Sequence, residues 1–457
     1  MYITCNRVGV EYDIHSLIKA FYPSEEIKVV SPATGTLPEG MTADMEIITE
    51  EPFDKNAFKA DLYKKLCMQT GKTLPWGNLI GIRPTKIPMF MLEEGKTEVE
   101  IADFMKKTHF VSDEKIALSI DIAKREKELL DTLHYEDGYS LYIGIPFCPT
   151  TCLYCSFTSN PICSWKKRMS EYLDALENEI DFTAEIYRDK KLDTIYIGGG
   201  TPTTLEAAEL DRLLTKVKNT FDFTYVKEFT VEAGRADSIT REKLEVLYKH
   251  GVTRISVNPQ TMSNETLKLI GRQHTVEQAI EAFHLAREVG FDNINMDIIL
   301  GLPGETEEDV AHTIREIVKL KPDSLTVHSL AIKRASKLHQ WITEHGISTL
   351  NNTDKTMEIA ANGAKELGMY PYYLYRQKNM SGNFENVGYA CEGKYGIYNI
   401  LIMEEKQTIV ALGAGSITKR VYPDGRIERC DNVKDVALYI EKIDEMIERK
   451  RVLLTEL

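Results

Sequence analysis

The sequence predicts an α/β protein. Its middle portion is a parallel sheet of six β/α units, either an open sheet or an incomplete barrel, with a small amino-terminal α/β unit before it and a carboxyl-terminal α+β region after it. Three observations carry this expectation. Apolar strand-like runs alternate with helical stretches six times between Leu141 and about Arg334, and such alternation implies parallel strands joined by right-handed crossovers. Polar and glycine-rich residues fall at the carboxyl ends of these runs, where ligands gather in sheets of this kind. Outside the run the alternation stops, which divides the chain into residues 1–137, 138–334 and 335–457.

In the first part, β-like runs at Met1–Val8, Ile27–Val30 and Met45–Thr49 accompany helical patterns at Ile14–Phe21 and Lys55–Thr70. The segment from Trp76 to Lys86 is punctuated by glycine and proline and reads as a loop, with Arg83 and Lys86 as surface charge rather than contacts to an anion. A charged helix from Ser112 to Leu133 leads into the middle part. Strands are expected there at Leu141–Phe147, Thr194–Gly200, Glu228–Gly234, Arg254–Gln260, Asn293–Gly301 and Ser324–Ala331. The helices between them are expected at Ser170–Tyr187, Leu205–Thr220, Arg241–His250, Asn264–Ile270, Thr275–Val289 and Glu307–Lys319. After Arg334, helices at Thr353–Leu367 and Asp435–Lys450 mix with strand-like pieces at Tyr395–Met403 and Thr408–Leu412, a region suited to covering a substrate.

The chain of 457 residues is long enough for two or three domains. Its 56 basic and 70 acidic side chains leave a net charge of −14, which argues against nucleic-acid binding through a broad basic surface. No apolar run of membrane-spanning length and no signal-peptide pattern occur, so a cytoplasmic protein without a membrane span is expected. Cys5, Cys67, Cys163, Cys391 and Cys430 lack paired spacing, as reduced thiols would.

The chemistry concentrates in Cys148-Pro149-Thr150-Thr151-Cys152-Leu153-Tyr154-Cys155. Three thiolates on one short loop suit an iron–sulfur cluster, whereas tetrahedral zinc wants four ligands and a disulfide framework an even number. A [4Fe–4S] cube held by three cysteines leaves one iron free for another ligand. At the end of the second strand, Gly198-Gly199-Gly200-Thr201-Pro202-Thr203 lets the backbone approach a ligand closely. Glu232 and Asp297 are acids in otherwise apolar strands, costly to bury unless paired or bonded to a ligand. Gln260 offers a donor and an acceptor at the fourth strand end. Arg272 can present a planar fork to a carboxylate, and His274 reads as a polar helix-start residue.

This ordered set resembles the radical S-adenosylmethionine enzymes, and within them the oxygen-independent coproporphyrinogen III oxidase group; the Trp76–Lys86 segment resembles the HemZ-type members. The similarity spans roughly Leu141 to Thr418. It implies an incomplete (β/α)6 radical-SAM barrel in which Cys148, Cys152 and Cys155 ligate a [4Fe–4S] cluster. It further implies that Tyr142, Tyr154, Gly199, Gly200, Thr201, Glu232, Gln260, Arg272 and Asp297 contact S-adenosylmethionine, with weaker contacts from Ala331 and Ile417. Tyr142 and Tyr154 are the candidates for a part in catalysis. The implied reaction is reductive formation of a 5′-deoxyadenosyl radical, which takes hydrogen from the propionates of coproporphyrinogen III and leads through loss of carbon dioxide to protoporphyrinogen IX. The implied partners are a tetrapyrrole and a low-potential electron donor such as flavodoxin or ferredoxin, and a monomer is expected.

Two positions depart from the relatives. The established decarboxylases carry a further cysteine two residues after the last ligand, where this chain has Phe157, the pattern of the haem-trafficking relatives. Those relatives in turn carry a histidine where this chain has Glu385, in Glu385-Asn386-Val387-Gly388-Tyr389-Ala390. A haem-binding protein and a different radical reaction on a tetrapyrrole therefore stand as alternatives. Lys333, Arg334, Arg376 and Lys378 are candidate partners for tetrapyrrole propionates.

Overall fold

The computed structural model describes the whole chain except residues 82, 158, 333–335, 347–349, 378–383 and 456–457. At its amino end, β1 (Tyr2–Cys5) pairs in parallel with β2 (Lys28–Val30) on one side and β3 (Met45–Ile47) on the other. Helices α1 (Glu11–Phe21) and α2 (Lys55–Thr70) bring Ile14, Leu17, Phe21, Leu62 and Leu66 onto Ile3 in a small core of their own. Asp54 caps α2 by accepting the Ala57 N–H, and left-handed Gly71 ends it. Three further helices follow, α3 (Lys86–Glu93), α4 (Glu98–His109) and α5 (Asp113–Leu130), of which only α5 was expected. Pro88 lies in the first turn of α3, where its missing N–H costs nothing, so it does not mark a loop.

The central sheet begins with β4 (Gly138–Ile145), followed by a two-residue parallel pair, β5 (Phe147–Cys148) with β6 (Asn160–Pro161). Then come α6 (Met169–Ile186), β7 (Lys191–Gly199), α7 (Ala207–Thr220), β8 (Glu228–Gly234), α8 (Arg241–Lys249), β9 (Arg254–Val257), α9 (Asn264–Leu269) and α10 (Val276–Val289). The repeat closes with β10 (Ile294–Leu300), α11 (Glu307–Leu320) and β11 (Ser324–Ser329). Strands β4, β7, β8, β9, β10 and β11 lie side by side in that order, all parallel. This is the expected incomplete barrel of six β/α units. Capping boxes Thr275/Gln278 and Thr306/Asp309 set the starts of α10 and α11.

Alternate residues of these strands face two different environments. Leu141, Ile143, Ile145, Ile195, Ile197, Phe229 and Val231 are fully buried among the helices. The intervening register brings Tyr142 beside Tyr196, Tyr196 beside Thr230, and Asp297 beside Thr326, so the concave face is polar and rich in tyrosine.

Residues past 335 contribute α12 (Lys337–His345), α13 (Asp354–Glu366), β12 (Tyr370–Tyr375), β13 (Asn386–Ala390), α14 (Ile397–Glu404), β14 (Thr408–Leu412), β15 (Ile417–Val421), β16 (Ile427–Asp431), α15 (Val436–Glu441) and α16 (Ile443–Thr455). Among the described residues they extend the sheet at both edges to eleven strands. β13 and β12 add antiparallel beyond β11, while β14 adds parallel beside β4 and carries antiparallel β15 and β16. The expected strand at Tyr395–Met403 is instead α14. This run is apolar all round because the helix is enclosed, so hydrophobic periodicity cannot tell it from a buried strand. Its Ile397 N–H donates to Glu228 Oε2 at 2.5 Å, at the start of β8, so α14 closes the amino end of the sheet. The final helix is held by a fully buried pair, Lys450 Nζ to Glu179 Oε1 at 2.5 Å; Glu179 also accepts the Gly413 N–H and the Tyr439 hydroxyl.

Candidate active site

The cysteine loop leaves the carboxyl end of β4, and the pairing of Phe147 with Asn160 and of Cys148 with Pro161 closes its base. Its middle is pinned from three sides. Leu153 N–H donates to the Ile270 carbonyl at 2.9 Å, Thr150 Oγ1 donates to the Gly271 carbonyl at 3.0 Å, and the Leu153 carbonyl accepts from Leu338 N–H at 2.9 Å. Cys152 is buried, and Cys148 and Cys155 are partly exposed. Among the described residues no three His, Cys, Asp or Glu groups converge to hold a single ion. Three cysteines on one loop suit a multi-iron cluster, in which each sulfur serves a different iron.

The glycine turn packs directly on this loop. Gly200 N–H donates to the Ile145 carbonyl and Thr201 N–H to the Phe147 carbonyl, at 2.9 and 2.7 Å. A Cβ on Gly200 would stand 2.4 Å from the Phe147 carbonyl oxygen, and Gly199 adopts φ +112°. Thr201 Oγ1 then lies 3.5 Å from Cys148 Sγ. Glycine is required here by close backbone approach as well as by any ligand.

Glu232 and Asp297 both lie on the concave face. The Tyr196 hydroxyl donates to Glu232 Oε1, and the Tyr196 ring stacks on Tyr398 of α14 at 4.4 Å between centroids, with Tyr142 at 6.2 Å from each. Burial and, secondarily, the charge of Asp297 push the Glu232 carboxyl up to about 7, against the Tyr196 hydrogen bond that favours the ionised form. Burial also pushes Asp297 up, but His328, 3.7 Å away, and Asn295, donating at 2.7 Å, outweigh it and hold that carboxyl below its ordinary range.

Gln260 lies past the end of β9 at φ +69°, tied to β10 through the Asp297 carbonyl and the Ile299 N–H. Its Oε1 is buried without a hydrogen-bond partner among the described residues, as are Asn258 Oδ1 and Arg272 Nε. Arg272 donates to the Asn258 carbonyl at 2.7 Å and to the Tyr154 hydroxyl at 3.2 Å, which brings those positions together beside the loop. Ala331 lies two residues past the end of β11, and Ile417 opens β15, 46% exposed beyond the Gly413 turn.

Several residues in and around this region differ from what the sequence suggests. His274 stands just before the Thr275 cap of α10, as expected of a helix-start residue, but it is buried, with Nδ1 3.8 Å from Asp237. Arg235 and Asp237, not singled out beforehand, pack under the loop; position alone was the available signal, since Arg235 follows the carboxyl end of β8 three residues after Glu232. Burial pushes Asp237 up, yet His274 and Arg235 together hold it well below the usual carboxylate range. Arg83 is not surface charge: it donates to the Met403 carbonyl and pairs with Glu405 at 2.8 Å. Arg376 is buried, donates to the Leu79 carbonyl and lies over the Trp76 ring. Glu385 is also fully buried, paired with Lys115 at 2.7 Å and accepting from the Trp76 indole at 2.7 Å. Lys333, Arg334 and Lys378 lie outside the described residues.

A six-unit parallel barrel with a three-cysteine loop at its carboxyl end defines a class of cluster-dependent radical enzymes. Residues 142–317 match the family described as the radical SAM superfamily. Over 401 residues the chain is 44% identical to the oxygen-independent coproporphyrinogen-III oxidase-like protein HemZ of Bacillus subtilis, covering 87% of this chain and 80% of that protein. It is 32% identical over 278 residues to the heme chaperone HemW of Lactococcus lactis, covering 61% of this chain and 68% of that one. The solved structure of coproporphyrinogen III oxidase (HemN) from Escherichia coli matches in fold with a TM-score of 0.54 at 23% identity, over 70% of this chain and 72% of that one. The chain belongs to the radical SAM superfamily, in the group that contains these coproporphyrinogen III oxidase-like proteins. Members of the superfamily use a [4Fe–4S] cluster and S-adenosylmethionine, and the donor set and unpartnered polar atoms described above fit both.

Proposed function

We propose that this protein carries out oxygen-independent oxidative decarboxylation of coproporphyrinogen III to protoporphyrinogen IX. Each round removes one hydrogen atom and one electron from a propionate side chain and releases carbon dioxide, leaving a vinyl group; two rounds complete the conversion. The observation that carries the reading is the cysteine loop seated on the glycine turn at the mouth of a polar, tyrosine-lined barrel. The likeness to the HemZ protein along most of both chains supports the choice of substrate.

In this reading Cys148, Cys152 and Cys155 hold the cluster. When bound, the cluster and S-adenosylmethionine supply a hydrogen-abstracting carbon radical once a low-potential donor such as flavodoxin or ferredoxin delivers an electron. The protein orients and shields. Gly199, Gly200 and Thr201 give the cofactor backbone access, and Gln260 and Arg272 offer it unsatisfied polar atoms. Glu232 and Asp297 offer acceptors for hydroxyl or ammonium groups. Tyr142 and Tyr154 form walls, and Ala331 and Ile417 complete the rim. No helix is long and apolar enough to cross a membrane among the described residues, and a monomer working in the cytoplasm is part of the proposal.

Haem handling is the second reading, favoured by Phe157 and by the likeness to HemW. Against it, Glu385 is consumed by Lys115 and Trp76 instead of facing a ligand. The two readings separate in one anaerobic experiment. The reconstituted protein receives S-adenosylmethionine, a strong reductant and coproporphyrinogen III, and the tetrapyrroles are weighed by mass spectrometry. Loss of two carboxyl groups supports the dehydrogenase; unchanged substrate together with stoichiometric haem binding supports the carrier.

A further inference from the structure

The Arg235 side chain is a fixed fork beside one of the three loop thiols. It leaves the end of β8 only 3% exposed. Its Nε and Nη2 donate to the two carboxylate oxygens of Asp237 at 3.0 and 2.6 Å. On its other side Nη1 donates to the Thr150 carbonyl at 3.0 Å and the Thr150 hydroxyl at 2.8 Å, and stands 3.9 Å from Cys152 Sγ. The guanidinium is thus clamped from behind by an acid, with its positive face toward the stretch between the first two cysteines. Arg272, a second arginine at the loop, donates to the Asn258 carbonyl and the Tyr154 hydroxyl and also adds its charge near Cys152, but no hydrogen bond joins it to a loop sulfur among the described residues.

This orientation has an electrostatic consequence. Cys152 is 8% exposed, so charge beside its sulfur is weakly screened by water. Reduction of a thiolate-held cluster adds a negative charge, and a cationic N–H donor next to a ligand sulfur stabilises the reduced form more than the oxidised one. The carboxylate of Asp237 cancels part of this, but it lies on the far side of the fork from the sulfur.

We propose that Arg235 is a positioning residue that raises the reduction potential of the cluster through Cys152, with Asp237 holding its orientation. The inference rests on the reading that Cys148, Cys152 and Cys155 hold a [4Fe–4S] cluster, and its test reads the cluster, not turnover. Wild type, Arg235→Lys and Arg235→Gln are reconstituted anaerobically, assayed for iron and sulfide, and titrated reductively while the cluster is followed by electron paramagnetic resonance, with no S-adenosylmethionine or substrate present. Arg235→Gln is expected to lower the reduced-to-oxidised ratio at a fixed solution potential about tenfold, equivalent to about 59 mV for one electron. Arg235→Lys should fall between, because it keeps the charge but loses the fork. An unchanged ratio in either variant with full cluster content overturns the proposal. So does failure of both variants to take up iron while their circular dichroism stays native, which would make Arg235 a brace for the loop and nothing more. A wild-type protein that takes up no iron and sulfide would overturn the cluster reading itself, and this inference with it.

Discussion

The two ends of the barrel are built on opposite principles. At the amino end, α14 seals the sheet: Glu228 receives the Ile397 N–H and the Thr230 hydroxyl and lies beside the buried guanidinium of Arg254. Arg254 donates to the Ser324 hydroxyl at 3.2 Å, although its Nε has no hydrogen-bond partner among the described residues, and the Tyr398 ring of α14 stacks on Tyr196. At the carboxyl end such atoms gather beside the cysteine loop. Buried polar atoms of Gln260, Asn258 and Arg272 have no hydrogen-bond partner among the described residues, Gln260 carries a left-handed backbone, and two of the three loop thiols are partly exposed. Leaving buried polar groups unanswered costs about 1–3 kcal/mol each, and a protein sustains that where a ligand will answer them.

That contrast can be broken from either side. The largest effect should come from the open end. Replacing Cys148, Cys152 or Cys155 by Ala should reduce iron content and tetrapyrrole conversion to background while the thermal midpoint barely moves, checked by iron assay, product mass and calorimetry. The sealed end should behave in the reverse way. Glu228→Ala leaves the Ile397 N–H and the Thr230 hydroxyl without their acceptor and removes an acidic neighbour of buried Arg254, and each buried polar group left unsatisfied costs about 1–3 kcal/mol; denaturant melts should record that loss, and the protein that remains folded should still take up cluster. Gly200→Ala tests where the two demands meet. Its Cβ would collide with the Phe147 carbonyl, so about 1–3 kcal/mol of stability should be lost to overpacking, together with part of the cluster occupancy as Thr201 moves away from Cys148.

The smallest effect is one of pH. The Glu232 carboxyl, raised by burial to about 7 in the folded protein, is ordinary in the unfolded chain. Between its ordinary value and 7 the folded state holds a proton that the unfolded state releases, so this group makes stability fall as pH rises through that window. Glu232→Gln removes the effect. The variant should therefore gain on the wild type between pH 5 and pH 8 in urea midpoints; parallel profiles would contradict the burial argument.

Much of the open end was legible because its signals are local. CxxxCxxC, the glycine run, and acids in apolar strands at strand ends are all read within a few residues. The six-fold alternation was legible for the same reason. The sealed end was not. A helix apolar on every side has no period to betray it, which is why α14 was expected as a strand. The antiparallel edge strands escaped because β12 and β13 carry their tyrosines and polar residues without a clean apolar alternation. Pairings between distant positions were invisible as well: Trp76 and Glu385 are 309 residues apart, and Arg83 looked like surface charge until Glu405 was placed beside it. Arg235 belongs to this class, since nothing in its neighbours announces the thiol it faces.

We propose that the three loop cysteines hold a [4Fe–4S] cluster with one iron left open at the carboxyl end of the barrel. Electron paramagnetic resonance of the anaerobically reconstituted, reduced protein tests it most directly, with and without S-adenosylmethionine. The expected result is a reduced-cluster signal that S-adenosylmethionine perturbs and that disappears in each single cysteine variant. A signal that survives in the Cys148, Cys152 and Cys155 variants, or that is indifferent to S-adenosylmethionine, would contradict it.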